Sequence, residues 1–337
     1  MRITLKDVGK KAGVSHNTVS LVVNNSDRVS DGTRNRVLKA VEELGYRPNR
    51  IAQNLVKGRT NVVAVIIPEI ESDFAVRILK GVENQRDDSG LDVMILSGRD
   101  IYSTAVDHCR RHDLFRRVIK EAKADGIIYV TPMKTDIEQE RDRVFEIPVV
   151  LVESDMENAY SITFDNRKAG RLGAEYLIGK GYRRIGLAIG DTVNMESQRE
   201  RFNGFTEVLS EHNIEFNKED DICRMFLHHF SDGRKIFNWL EARQFRYDAV
   251  FCAGGDSAAL GLINTALKRG FSIPENFGVL GFDNCDMSES FALTTIEQPV
   301  YSMGTEAFNM IKCHLESEEN IMRKKVFHPR IIEREST

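Results

Sequence analysis

The stretch "GVSHNTVSLVVNN", Gly13 to Asn25, carries polar groups whose spacing could read nucleic acid. Residue preference favours a strand here, because Val19, Leu21, Val22 and Val23 crowd together and β-branched side chains suit extended backbone. Wrapped as a helix with Ser15 as its cap, the stretch sorts by face instead. Val19, Val22 and Val23 fall on one side at spacings of three and four, and His16, Asn17, Ser20, Leu21 and Asn24 on another. Asparagine pairs bidentately with adenine, histidine hydrogen-bonds a base edge or phosphate, and leucine meets a thymine methyl. A helical protein-interaction domain would show a similar polar face.

Two further groupings hold titratable residues. "FCAGGDSAALG" leaves Asp256 at the start of a helix, after a strand and a glycine pair that permits a tight turn toward a cleft. The same position suits a simple N-cap aspartate. "DHCRRHD" puts His108 and His112 one helical turn apart with Cys109 and Asp113 adjacent, a set of metal-ligand types. Arg110 and Arg111 would repel a cation, however, and a solvated basic helix face is the better reading, with no metal. There is no G-x-x-x-x-G-K-[ST], no G-x-G-x-x-G after a strand and no G-x-S-x-G elbow, so neither an enzyme nor a cofactor is implied.

The elements that must position these residues can be read from punctuation and rhythm. Thr4 and Asp7 match a capping box, Leu5, Val8 and Ala12 share a helical face, and Gly13 ends that helix at about 5–12. A second helix follows Ser15, and a third begins near Ser30, spaces Val37, Val41 and Leu44 helically, and stops at Gly45. In "YRPNRIAQNLVKGRT", Pro48 opens and Gly58 closes a short helix carrying Ala52 and Leu55, which reads as a conditional hinge. From Asn61 onward, apolar runs "NVVAVIIP", "LDVMILS", "DGIIYVTP", "IPVVLVES", "RRIGLAIG", "YDAVFCAGG" and "FGVLGFD" alternate with amphipathic segments at 73–89, 102–124, 165–180, 196–212, 231–243 and 256–270. That alternation predicts an α/β fold with parallel sheets covered on both faces, and two linked subdomains with a ligand cleft at the carboxyl ends of the strands.

Charge divides the chain at the same place. Residues 1–59 hold 12 Lys+Arg against 5 Asp+Glu, a net of +7, whereas the remainder holds 35 against 46, a net of -11. A small basic head on an acidic body predicts a polyanion partner for the head alone. The 41% hydrophobic and 29% charged shares suit a soluble globular protein. No apolar run reaches the roughly 18 residues of a membrane span, and the charged start lacks a signal-peptide core, so a cytoplasmic location without membrane contact is expected. Five scattered cysteines, Cys109, Cys223, Cys252, Cys285 and Cys313, predict reduced thiols rather than a disulfide framework.

The segment "TLKDVGKKAGVSHNTVSLVVNNSDRVSDGTRNRVLKAVEELGYRPNRIAQNL" resembles the head and hinge of the lactose/galactose repressor family. The likeness continues through "GYRRIGLAIG", "RERFNGF", "FCAGGDSAALG", "VLGFDN" and "LTTIEQP", and the ending "SMGTEAFNMI" with "HPRIIERES" is similar to the purine-repressor branch. The resemblance implies a helix-turn-helix head at 1–46, a hinge helix at 47–59, and a core at 60–337 of periplasmic-binding-protein type. That core would comprise two Rossmann-like subdomains, about 60–160 with 297–325 and 161–296 with 326–337. It also implies DNA contacts from Thr4, Ser15, His16, Asn17, Thr18, Ser20, Leu21 and Asn24 in the head, and Asn49, Ala52 and Leu55 in the hinge. Effector contacts would come from Arg201 as the clamping arginine, Phe74 as the aromatic cover and Asp256 as the carboxylate.

On this reading the partners are a palindromic double-stranded operator, a small-molecule effector and a second copy of the chain. One short recognition helix reads too few base pairs by itself, and no heptad-repeat helix follows "HPRIIEREST" to make a tetramer. The effector is expected to be a sugar or sugar derivative, with a purine or nucleoside as the alternative. Two other classes fit parts of the chain: a solute-binding protein without a DNA role, and an α/β enzyme using Asp256 and Arg201. Family hinge helices push a leucine into the minor groove, where an apolar wedge kinks the duplex, and Leu55 is the matching residue. Leu55→Ala is therefore expected to weaken operator binding while sparing effector binding; unchanged operator affinity in a gel-shift titration would mean that Leu55 is not inserted.

Overall fold

The computed structural model describes residues 3–23, 26, 28–46, 59–70, 72–86, 89–98, 113–121, 123–132, 139–140, 145–193, 195–225, 229–317 and 322–337. The expected hinge residues Asn49, Ala52 and Leu55, together with Asn24, His108, Cys109 and His112, lie outside these. The chain divides into two units, Met1–Thr60 and Asn61–Thr337.

In the first unit the capping chemistry is visible at each helix start. The Asp7 carboxylate accepts the Thr4 backbone N–H at 2.8 Å and its hydroxyl at 2.7 Å, opening α1 (Leu5–Ala12). Gly13, at φ 69°, ends α1 in the left-handed region, and the Val14 N–H then reaches back to the Gly9 carbonyl at 3.0 Å. Ser15 Oγ accepts the Thr18 N–H at 3.1 Å, which starts α2 (His16–Val23). α3 (Asp31–Leu44) completes the unit. Val19 and Val22 are buried with Val8, Val37 and Ala40. Packing of this valine stripe is what makes a helix of a stretch whose residues individually favour a strand.

The second unit is built on two six-stranded sheets. The first has the order β11-β5-β4-β3-β1-β2, all parallel, from β1 (Val62–Ile67), β2 (Asp92–Ser97), β3 (Gly126–Val130), β4 (Val149–Val152), β5 (Tyr160–Phe164) and β11 (Lys324–Phe327). The second has the order β12-β10-β9-β8-β6-β7, from β6 (Ile185–Ile189), β7 (Ile222–Arg224), β8 (Ala249–Cys252), β9 (Gly278–Asp283), β10 (Thr295–Glu297) and β12 (Arg330–Ile332). In that sheet the β10–β12 pair alone is antiparallel. In β1, Val63, Val65 and Ile67 join one buried cluster while Ala64 and Ile66 join another with Phe115 and Val118. A strand whose alternate residues meet two apolar layers must read as a continuous apolar run.

The expected amphipathic segments appear as α4 (Asp73–Arg86), α5 (Asn166–Gly179), α6 (Glu196–Glu211), α7 (Asp232–Ala242) and α8 (Asp256–Lys268), joined by α9 (Val300–Leu315). Of 102–124, residues 113–120 are helical and 99–112 are not described. The subdomain boundaries differ from those expected. Tyr160–Phe164 stays in the first sheet by pairing with β4 and β11, so the first crossover follows Phe164 rather than residue 160. Lys324–Phe327 also belongs to the first sheet, which moves the last crossover beyond residue 325.

α5 and α6 touch backbone to backbone. A Cβ on Gly170 would lie 2.0 Å from the Arg201 carbonyl oxygen, and one on Gly204 would lie 2.0 Å from that of Arg167. Only glycine fits on either side of this contact, and the contact sets the height at which α6 presents Arg201. Gly204→Ala is expected to cost about 1–3 kcal/mol through overpacking, read as a lower urea midpoint; a midpoint equal to that of the parent would contradict the close approach.

Candidate functional site

In the head, the outer face of α2 exposes His16, Asn17 and Leu21, with Leu21 38% accessible, while Thr18 and Ser20 are half-buried. An exposed leucine flanked by hydrogen-bonding side chains is the arrangement that a major-groove contact needs.

In the second unit, a cleft of about 230 Å³ opens between the two lobes. Its walls come from the segments that leave the carboxyl ends of the strands: Pro68 and Glu69 after β1, Thr131 after β3, Glu153 after β4, Gly254 and Gly255 after β8, and Asp283 ending β9. Thr131, Glu153 and Asp283 all have positive φ, at 44°, 63° and 104°. Backbone strain of about 1–3 kcal/mol per residue is thus concentrated where the chain turns out of the sheets into the cleft. Phe74, at the start of α4, is half-buried against the core and also lines the cleft, and Phe230, 44% accessible, lies on the other lobe.

Arg201 lines the cleft with three of its five N–H donors already engaged. Its Nε donates to Asn166 Oδ1 at 2.7 Å, Nη1 to the Ala253 carbonyl at 2.9 Å and Nη2 to Gln298 Oε1 at 3.3 Å, and the guanidinium lies 3.6 Å over the Phe282 ring. Burial pulls its pKa down from the ordinary arginine value, against the attraction of Asp283 and Glu153. Arg201 therefore acts first as a structural clamp between crossovers, and only its remaining face can meet a ligand.

Asp256 also lines the cleft, and its carboxylate is held by the protein. Its Oδ1 accepts Thr295 Oγ1 at 2.7 Å, and Oδ2 accepts Ser288 Oγ at 2.6 Å and the Cys285 N–H at 2.9 Å. It is 1% accessible, and burial pushes its pKa up to about 6 against these hydrogen bonds. The carboxylate pins the loop after β9 to the start of α8, and it lines the cleft with most of its acceptor capacity already taken.

The carboxylate that remains open is one that the sequence reading missed, Asp283. No described residue donates a hydrogen bond to its side chain, and its Oδ2 lies 3.2 Å from where a Cβ on Gly255 would sit, so the glycine leaves it uncovered. Burial pushes its pKa up to about 8, with Arg201 pulling the other way. The signal was available in "VLGFDN", an aspartate at the carboxyl end of a buried strand. Glu153 was missed too. It accepts Asn166 Nδ2 at 3.0 Å and Gln298 Nε2 at 3.2 Å, and burial raises its pKa. Across the mouth, His229 Nε2 lies 3.5 Å from Glu69 Oε1. Among the described residues no group of His, Cys, Asp and Glu is disposed to hold a metal ion.

A model of bacterial regulatory proteins of the lacI family matches residues 4–49, and one of a periplasmic binding protein-like domain matches 174–337. The HTH-type transcriptional regulator RegA of Clostridium acetobutylicum is 34% identical, with 100% of this chain and 99% of that protein covered. The chain belongs to the lacI family. It is a helix-turn-helix transcription regulator, not an enzyme. The HTH-type transcriptional repressor PurR of Vibrio vulnificus is 30% identical over 99% of this chain and 98% of its own length. Among solved structures, a LacI-family regulator from Silicibacter pomeroyi superposes with a TM-score of 0.82 at 29% identity, covering 99% of each chain. A CelR–cellobiose complex superposes with a TM-score of 0.69 at 27% identity, covering 100% of each. The lac repressor dimer bound to operator and an anti-inducer shares the fold with a TM-score of 0.85 at 23% identity, over 100% of this chain and 99% of that one.

The cleft has a pH signature. A folded-state value above the ordinary carboxylate range means that folding takes up a proton at Asp283. The stabilisation is complete below the unfolded value and is lost as pH rises through about 8. The thermal midpoint of the parent should fall more steeply between about pH 4 and 8 than that of Asp283→Asn, whose amide cannot ionise; parallel midpoint curves would contradict the placement of this carboxyl.

Proposed function

We propose that this regulator binds a palindromic operator as a homodimer, through His16, Asn17, Ser20 and Leu21 of α2, and that a sugar-like effector in the interlobe cleft sets its operator affinity. The observation that carries the DNA reading is the exposed polar face of a Ser15-capped helix in a head of net charge +7, on a body of net charge -11. The effector reading rests on the cleft and on Asp283, an open carboxylate at the end of a buried strand. The CelR structure holds cellobiose in a chain of the same fold. Residues 1–46 would form the head, 47–59 the hinge and the remainder the effector-binding core. Asn49, Ala52 and Leu55 would add contacts next to the recognition helix.

The two functions are joined by linkage. An effector that prefers one relative orientation of the lobes shifts the spacing of the two hinges in a dimer, and hence whether both heads can dock one helical turn, or a multiple, apart. A role on DNA places the protein in the cytoplasm, and no helix among the described residues is long and apolar enough to cross a membrane. Asn17→Ala removes a base contact without touching the buried stripe, so it should weaken specific operator binding by about 1–3 kcal/mol with no change in thermal midpoint. Fluorescence anisotropy on a labelled operator checks this, and equal affinities for parent and variant would overturn the assignment of α2.

A further inference from the structure

We infer that Asp125 is a positioning residue: its carboxylate clamps the point at which the chain enters the core and so fixes the direction in which each head leaves it. This rests on the reading above, in which two heads dock as a pair on a palindromic operator through residues 47–59. The clamp is built on Asn61, the residue before β1. Asp125 Oδ2 accepts the Asn61 N–H at 2.7 Å and the Asn61 carbonyl accepts the Asp92 N–H at 2.8 Å, so both backbone groups of Asn61 are held. Asn61 has φ 52°, in the left-handed region that asparagine enters more readily than most residues. One left-handed residue redirects the chain, and this one is fixed from 64 positions away.

The anchor itself is seated firmly. Asp125 is 9% accessible, and its own N–H donates to the Val62 carbonyl at 2.8 Å. A Cβ on the next residue, Gly126, would lie 2.6 Å from Ile311 Cγ2 of α9, so the Asp-Gly pair is pressed against that helix. The far ends of the same strands give the clamp its consequence. β1 leads from Asn61 to Pro68 and Glu69 in the cleft wall, and β3 leads from Asp125 to Thr131 in the same wall. The two strands pair in parallel from Val63 with Gly126 to Ile66 with Tyr129, and all of β3 and all but the first residue of β1 are buried. Close-packed strands in one ladder move as a body, since a packed interior shifts rather than stretches. The first lobe thus carries the cleft at one end of β1 and β3 and the chain's point of entry at the other. Removing the carboxylate would leave the ladder whole and release Asn61 alone. Two heads on a stiff exit bind best to half-sites at one spacing, whereas a looser exit lowers that optimum and broadens it.

The test uses the full chain and a palindromic duplex selected by the parent from random-sequence DNA, alongside the same duplex with one base pair inserted at its centre. Fluorescence anisotropy gives the ratio of the two Kd values. The parent should bind the inserted duplex at least about tenfold more weakly. Asn61→Pro opens the clamp from its other side, because proline has no N–H and cannot take φ 52°. In Asp125→Ala and in Asn61→Pro the ratio should fall to about threefold or less, mainly through weaker binding of the uninserted duplex. Asp125→Asn, whose amide oxygen still accepts, should keep the parent's ratio. A loss of core stability alone lowers the thermal midpoint and the active fraction but leaves the ratio unchanged. A ratio equal to the parent's in both Asp125→Ala and Asn61→Pro would overturn the clamp, as would a fall in Asp125→Asn as large as that in Asp125→Ala. A parent that binds both duplexes equally would overturn paired docking itself, and this inference with it.

Discussion

The core depends on one buried guanidinium. Arg201 is 5% accessible, and a charge so placed costs several kcal/mol unless every donor is matched. Its partners are the first residue of α5, the residue after β8 and Gln298 after β10. Asn166 and Gln298 stand beside two of the crossovers between lobes, and both also donate to Glu153 of the first lobe. Beneath this network the Phe164 and Phe282 rings, one from each sheet, meet edge to face at 5.9 Å. Removing the guanidinium would therefore strand buried acceptors on both lobes at once. The glycine contact between α5 and α6 holds the arginine in register.

The same network explains why a ligand in the cleft would be felt at a distance. Its walls are the strained carboxyl-end turns at Thr131, Glu153 and Asp283, and among the described residues the contacts across the lobes at the mouth include polar ones, Arg77 to the Asp283 carbonyl and His229 with Glu69. These contacts are half-buried and each joins only a pair of groups. A ligand that replaces or reinforces them can bias lobe orientation with a modest differential affinity, and the effect must be reciprocal between cleft and operator.

Much of this was legible in the sequence because local chemistry and tertiary packing agree. Thr4, Ser15, Gly13 and Gly45 mark helix ends by hydrogen bonding or by left-handed backbone, and β1, β3, β4, β6, β8 and β9 are buried on both faces and so are apolar, save for Asp283 at the end of β9. The strands that escaped notice, β5, β7, β10, β11 and β12, are three to five residues long, and β7, β11 and β12 lie at sheet edges where one face meets solvent. The difference between Asp256 and Asp283, which both line the cleft, was hidden for another reason. Asp256 sits at a helix start after glycines, which suits ligand binding, but the donors that saturate it, Cys285, Ser288 and Thr295, are 29, 32 and 39 residues away in the chain. Only the fold brings them together. Asp283 ends an apolar strand, and its solitude is a property of its surroundings that no local pattern encodes.

Linkage between cleft and head is tested most directly by measuring operator affinity at constant salt, with and without a saturating concentration of whichever sugar most raises the thermal midpoint. A coupling of about 1–3 kcal/mol, a change in operator Kd of roughly 5- to 150-fold in either direction, is the predicted result. An operator Kd that is the same with the cleft filled and empty would contradict it.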